Sequence, residues 1–244
     1  MGSRLSLFQP CNGYRVAIDS VLLAAAIPAK GKDRILDVGA GTGAASLALL
    51  SRIDGVLVEG VEIQEWYANL AKKNAEQNGL QHRVKFLNRD ISELKCDLFL
   101  DNFNHVMSNP PFLEKNQGRV PSNQGKAKSN IEGKFGLVNW IKFCIRAVKT
   151  RGTVTIIHRV DRLTQILSAF DGKVGGVTIY PLWPRLGENQ QARRVLIQCR
   201  KGVRSPTQLS SGLILHNQNG GYTEEAKAIL SGAKGINLSI IKSE

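Results

Sequence analysis

The sequence predicts an α/β fold: a doubly wound, mostly parallel sheet with helices on both faces. Three observations carry this. Strand-like and helix-like stretches alternate along the chain once the first thirty residues are passed. Segment 34–39 is nearly continuously apolar (Ile35, Leu36, Val38), as suits a strand buried on both faces. A glycine-rich turn at 39–43 then joins this strand to the Ala- and Leu-rich helical segment 44–51, the order of a parallel crossover unit.

The remaining elements follow in order. Segment 56–62 is a second strand. Segment 64–78 is a helix with Trp66, Leu70, Ala71 and Ala75 on one stripe and Gly79 as its stop. A third strand occupies 83–88, and 105–108 ends a fourth. Segment 114–133, rich in Gly, Asn, Ser and Lys, is a flexible loop. An amphipathic helix at 137–149, a β-branched strand at 152–158, a helix at 159–170 and strands at 174–180 and 195–200 complete the alternation. Between the last two, 181–194 holds two prolines and three arginines and is too polar for a buried element. The last helix starts at Thr223, whose hydroxyl caps it, with Glu224 and Glu225 in the first turn where the helix dipole favours acids. No internal repeat is visible. The expected organisation is one domain: an N-terminal segment (1–30), a core (31–200) and a C-terminal extension with its helix (201–244).

Composition narrows the class. The 244 residues are 42% hydrophobic and 22% charged, ordinary globular values. The longest apolar stretch, 21–28, is too short to span a bilayer, and the N-terminus has no signal-peptide pattern, so a cytoplasmic protein is expected, away from membranes. Cys11, Cys96, Cys144 and Cys199 lie far apart without a CxxC pair, which argues against a zinc site or disulfide framework; no metal is expected. The net charge of +13 favours a polyanionic partner.

Glycines after a buried strand let backbone N–H groups approach a ligand and adopt φ values that other residues resist. In Asp37-Val38-Gly39-Ala40-Gly41-Thr42-Gly43 they stand first, third and fifth, not first, third and sixth as in the dinucleotide fingerprint, which disfavours a nicotinamide oxidoreductase. This heptapeptide resembles the first motif of the class I S-adenosylmethionine (SAM)-dependent methyltransferases. The resemblance implies a Rossmann-like, seven-stranded fold, with the turn passing the amino-acid end of SAM. It places Glu62, 19 residues after Gly43, on the ribose hydroxyls. An ionised carboxylate accepts only, and so suits two hydroxyl donors. Asn88-Arg89-Asp90-Ile91 resembles the family's third segment, so Asp90 accepts from the adenine amine while Ile63 and Ile91 flank the ring.

Asn109-Pro110-Pro111-Phe112 ends the fourth strand, at the same edge of the sheet. An amide or exocyclic nitrogen is a poor nucleophile because its lone pair is delocalised. Two acceptors against its hydrogens, the Asn109 side-chain oxygen and the Pro110 carbonyl, favour sp³ character and aim that lone pair. Pro110 and Pro111 hold the carbonyl rigidly, and Phe112 offers a face for a planar group. Positioning carries the catalysis, because the sulfonium leaving group needs no shifted general base. Asn-Pro-Pro alone also marks a turn. Together with the glycine turn, it resembles the [Asn/Asp]-Pro-Pro-aromatic motif of amino-group methyltransferases, which implies that Asn109 also borders the cofactor.

The stretch from Phe8 to Ala24, with Gln9-Pro10, Gly13-Tyr14-Arg15 and Asp19 to Leu22-Leu23, is similar to the N-terminal segment of the bacterial valine-tRNA adenine-N6 methyltransferases. In those proteins it helps cover the cofactor. Packing and helix capping are equally good roles for Tyr14 and Asp19. Tyr222 to Ala226 also resembles that family. Two basic clusters fit an RNA partner, tRNA by the resemblance: Lys115, Arg119, Lys126, Lys128 and Lys134 against Glu114 and Glu132, and Arg185, Arg193, Arg194, Arg200, Lys201 and Arg204 against Glu188. Phe112 and Trp183 are the aromatics placed near bases, although Trp183 equally suits the core. The expected reaction is SAM-dependent N6-methylation of a tRNA anticodon-loop adenine. Ribosomal-RNA guanine-N2 methylation, protein-glutamine N5 methylation and an idle SAM- or RNA-binding protein stay open, as does the oligomeric state.

Overall fold

A computed structural model describes residues 4–11, 17–93, 99–111, 135–187 and 190–238. Strands β1 (Arg34–Val38), β2 (Leu57–Glu62), β3 (Val84–Asn88), β4 (Phe103–Ser108), β5 (Val148–Arg159), β6 (Val174–Trp183), β7 (Arg194–Lys201), β8 (Gln208–Leu209) and β9 (Leu213–Ile214) form one sheet among the described residues. Its order is β3-β2-β1-β4-β5-β7-β6-β8, with β9 also on β6. β3 through β5 are parallel; β7 runs antiparallel between β5 and β6. The expected Rossmann-like sheet is present, with the two short strands β8 and β9 beyond the seven expected.

Alternation along the strands feeds two cores. Ile35, Val58, Met107 and Ile157 face the side covered by α1 (Ile18–Ala25), α2 (Ala44–Leu50), α3 (Glu65–Gln77) and α6 (Glu224–Leu230). Leu36, Val38, Val106 and Ile156 face α4 (Gly136–Ala147) and α5 (Leu163–Ser168). Both faces of β1 are therefore covered, which is why Ile35, Leu36 and Val38 are apolar. Arg34, at the start of the strand and paired with Glu59, and Asp37, near its carboxyl end, are the exceptions. The Thr223 cap is present: its hydroxyl accepts from the Ala226 N–H at 3.2 Å.

Three expectations fail for physical reasons. Of the stripe expected on α3, Ala71 and Ala75 are buried, but Leu70 is half-buried and Trp66 is 58% exposed, and Tyr67, Ala68 and Asn74 complete the buried face. The helix expected over 137–149 stops at Ala147, because Val148 turns extended and pairs with Phe103 of β4. Beyond Tyr180, β6 continues through Pro181, Leu182 and Trp183. β8 pairs with Thr178 and Ile179, and β9 with Leu182 and Trp183. Pro181 falls in the gap between them, where its missing N–H costs no ladder bond. Gly212 crosses there so closely that a Cβ would sit 2.0 Å from the Pro181 carbonyl oxygen.

Candidate active site

The carboxyl ends of β1, β2, β3 and β4 meet at one edge. Leaving β1, the chain takes positive φ at Gly39, Gly41 and Gly43 (77°, 56° and 83°). The Gly39 and Ala40 N–H groups both donate to the Val61 carbonyl, at 2.9 and 3.0 Å, locking the turn to β2. A Cβ at Gly39 would come within 2.9 Å of the Trp140 ring, and one at Gly43 within 2.7 Å of Phe86. Gly41 differs: nothing lies within 4 Å of where its Cβ would be. Two glycines make room for protein, and the middle one faces open space.

Glu62 ends β2 beneath this turn. One carboxylate oxygen accepts from the Gly41 N–H and the other from the Gln64 N–H, each at 2.9 Å. The side chain is buried, and desolvation raises its pKa against the pull of these backbone donors. Asp37 is also buried; Ser46 Oγ donates to it at 2.6 Å, yet desolvation pushes its pKa up to about 6, with Glu62 adding repulsion. Ile63 is 59% exposed, an apolar side chain held in the open beside Glu62, whereas Ile91 is buried in the core. The Asp90 carboxylate accepts from the Ser92 backbone and hydroxyl at 2.8 and 2.7 Å. Asn88 Nδ2 donates to the carbonyls of Glu62 and Ile63 at 3.0 and 2.9 Å, fixing the bend between them.

At the end of β4, Asn109, Pro110 and Pro111 follow Ser108. Asn109 Oδ1 is buried and has no hydrogen-bond partner among the described residues, an acceptor that ordinary proteins do not leave unsatisfied. Ser108 Oγ donates to the Val38 carbonyl at 2.7 Å and accepts from the Trp140 indole N–H at 2.9 Å. At the end of β5, fully buried His158 accepts from the Arg159 N–H through Nδ1 at 2.8 Å. Its ring also meets the Pro111 backbone, and burial lowers its pKa to about 4, so it stands neutral with its proton on Nε2. Phe112 lies outside the described residues, as do Tyr14 and the whole expected loop 114–133.

Residues 13–124 match the methyltransferase small domain family. Among curated relatives, a Shewanella sp. (strain MR-4) protein named tRNA1(Val) (adenine(37)-N6)-methyltransferase is 28% identical over 218 residues, 87% of this chain and 89% of that one. A protein of the same name from Porphyromonas gingivalis is 27% identical over 241 residues, 91% and 89% of the two chains. The chain is a SAM-dependent methyltransferase. Solved structures share the fold. A protein from Agrobacterium tumefaciens, described as a predicted O-methyltransferase, superimposes with a TM-score of 0.74 at 23% identity, covering 91% of this chain and 100% of that one. The tRNA (m1A58) methyltransferase of Aquifex aeolicus does so with 0.57 at 16% identity, covering 80% and 72%.

The residues present fit SAM. Open space over Gly41, a buried carboxylate at the end of β2 and exposed Ile63 beside it form one continuous border. The methyltransferase also holds its N-terminal segment against this border. Asn74, fully buried on α3, donates to the carbonyls of Thr42 (2.9 Å) and Phe8 (3.1 Å) and accepts from the Phe8 N–H at 2.7 Å. Asn78 pairs with both backbone groups of Ser6. Residues 6–8 are thus strapped to the helix that backs the glycine turn. Neither asparagine stood out in the sequence; a polar residue inside the buried stripe of a helix was the available signal. Asp19 pairs with Arg194 at 3.1 Å.

The second basic cluster is not one surface. β7 runs through it, with Arg185, Arg193 and Arg194 at the site's edge and Arg200, Lys201 and Arg204 at the opposite edge. There Arg200 donates to the Arg151 carbonyl, and Lys201 to the carbonyls of Arg146 and Val148 and to Asp101. Trp183 stands at the site's edge, with its indole N–H held by the Ser211 carbonyl at 2.9 Å. Among the described residues, no helix is long and apolar enough to cross a membrane, and no group of three His, Cys, Asp or Glu side chains is placed to hold a metal.

Proposed function

We propose that this methyltransferase transfers the methyl group of SAM to the N6 amino group of an adenine in RNA, at a tRNA anticodon-loop position beside the anticodon. The observation that carries the reading is the unsatisfied Asn109 Oδ1 at the end of β4. A buried acceptor without a donor costs about 1–3 kcal/mol, and a planar amino group supplies the donor it lacks.

SAM, when bound, supplies an electrophilic methyl group on a positively charged sulfur. Glu62 would hold the ribose hydroxyls with the lone pairs that Gly41 and Gln64 leave free, and its backbone bonds hold it in place before SAM arrives. Asp90 and exposed Ile63 border the adenine; Ile91 supports them from the core. Asp37 does not reach out as a ligand. It braces the turn through Ser46 and places a carboxyl group beneath it. Asn109 and the Pro110 carbonyl accept the two N–H bonds of the substrate amine and orient its lone pair along the line of transfer, while Phe112 stacks on the base. With SAM bound there, the N–C bond would form as its S–C bond breaks, and the amine would release one proton to water. Positioning supplies the rate, with no general base.

The names of the relatives support adenine and tRNA, and the net charge of +13 supports a polyanion. The test is radiolabelled methyl transfer from SAM to bulk tRNA, ribosomal RNA and protein, followed by nucleoside and amino-acid analysis. N6-methyladenine in tRNA is expected. N2-methylguanine in ribosomal RNA, or methylglutamine in protein, with tRNA untouched, contradicts it.

A further inference from the structure

We propose that the outer ends of β5, β7 and β6 form a ledge that carries the phosphate backbone of the substrate RNA while the target base reaches in to Asn109. The proposal rests on the RNA reading above.

Strand register builds the ledge. Ser108 of β4 is level with Ile156 of β5, so β5 runs on past the site and ends at Arg159. Arg159 is about 7 Å further out than Asn109, at about 3.3 Å per residue. Arg159 pairs with Arg194 at the start of β7, and Arg194 with Leu182 near the end of β6. From β4 across to β6 is three strand spacings, about 14 Å. A base inserted at Asn109 has its sugar and phosphate further from the sheet than itself, at the height where this row of arginines stands.

The charge is predominantly positive. Arg159, Arg162, Arg185, Arg193 and Arg194 lie on the ledge or in the segments leaving it, and Asp161 and Asp19 are the acids paired there among the described residues. Asp161 engages Arg159, Asp19 engages Arg194, and Gln165 accepts from Arg162. These contacts pin three guanidinium groups in place. Arg185 and Arg193 are exposed. Arg200, Lys201 and Arg204 share the sequence neighbourhood but lie a whole strand away, at the far end of β7, and take no part.

The test compares two double variants that each remove two exposed positive charges. Arg185→Ala with Arg193→Ala alters the ledge; Lys173→Ala with Arg204→Ala alters the opposite edge. Binding of an unmodified tRNA transcript is measured against salt, with SAM affinity as the check that each variant is folded. The ledge variant is expected to bind at least about tenfold more weakly, with the slope of log affinity against log salt flattened by about 1.4 units, at about 0.7 per lost phosphate contact. The opposite-edge variant is expected to stay within about twofold of wild type. Equal losses in both variants, or no loss in the ledge variant while wild type binds and methylates the transcript, overturns the ledge alone. A wild-type protein that neither binds nor methylates RNA overturns the RNA reading itself.

Discussion

The Trp140 indole N–H donates to Ser108 Oγ at 2.9 Å, and the same hydroxyl donates to the Val38 carbonyl at 2.7 Å. One side chain thus ties the last residue of β4 to the last of β1. The Trp140 ring also lies within 2.9 Å of where a Cβ on Gly39 would be. The first glycine of the cofactor turn and the residue before Asn109 are therefore held by the same indole. In Trp140→Phe an aromatic ring is kept, smaller than the indole, and the donor is lost. Methyl transfer is expected to slow about fivefold, the worth of one hydrogen bond near 1 kcal/mol, while SAM affinity stays within about twofold. Ser108→Ala should do the same, and the double variant no more than either single one. Additive losses in turnover would show that the two residues act separately.

Glu62 gives a pH signature. Its pKa is raised by burial, so the ionised form that accepts from hydroxyls is lost on acidification at a higher pH than for an ordinary glutamate. SAM affinity, by calorimetry, should fall as pH falls through that raised value. In Glu62→Ala it should be at least about a hundredfold weaker, two charge-assisted bonds being removed. A folded Glu62→Ala protein with wild-type affinity would refute the ribose role.

Asp37 acts on stability. Its folded pKa, about 6, lies above the usual 3.8, so the folded protein holds a proton that the unfolded chain gives up. Stability from this group is highest below about pH 4 and falls as pH rises to about 6, by about 3 kcal/mol at 1.36 kcal/mol per unit. His158 works in the opposite sense, losing stability as pH falls from 6.5 toward 4. The Asp37 contribution is therefore read as the difference between wild type and Asp37→Asn in denaturant unfolding at pH 4 and pH 7. A difference that does not change with pH would contradict it.

What the sequence disclosed was local chemistry. Five parallel strands, the glycine turn and the position of Glu62 follow from residue types a few positions apart, and all are where the alternation puts them. Relations between distant segments were not legible. Trp140 is 32 residues from Ser108, and Asn74 is 66 from Phe8, so neither bond has a sequence pattern. Trp66 misled because an aromatic beside Tyr67 competes for the same stripe, and packing chose Tyr67. Pro181 misled because its tolerance depends on a gap between β8 and β9, strands too short to be seen. The arginines from Arg185 to Arg204 read as one cluster until β7 separated them.

The central claim is that Asn109 serves the acceptor nitrogen and not the cofactor. The measurement is SAM affinity by calorimetry, together with single-turnover methyl transfer to tRNA, in wild type and Asn109→Ala. Affinity is expected to stay within about threefold while the rate falls at least about a hundredfold, as when a preorganised polar group is removed from a transition state. An unchanged rate, or an affinity that falls by the same factor as the rate, would contradict the account.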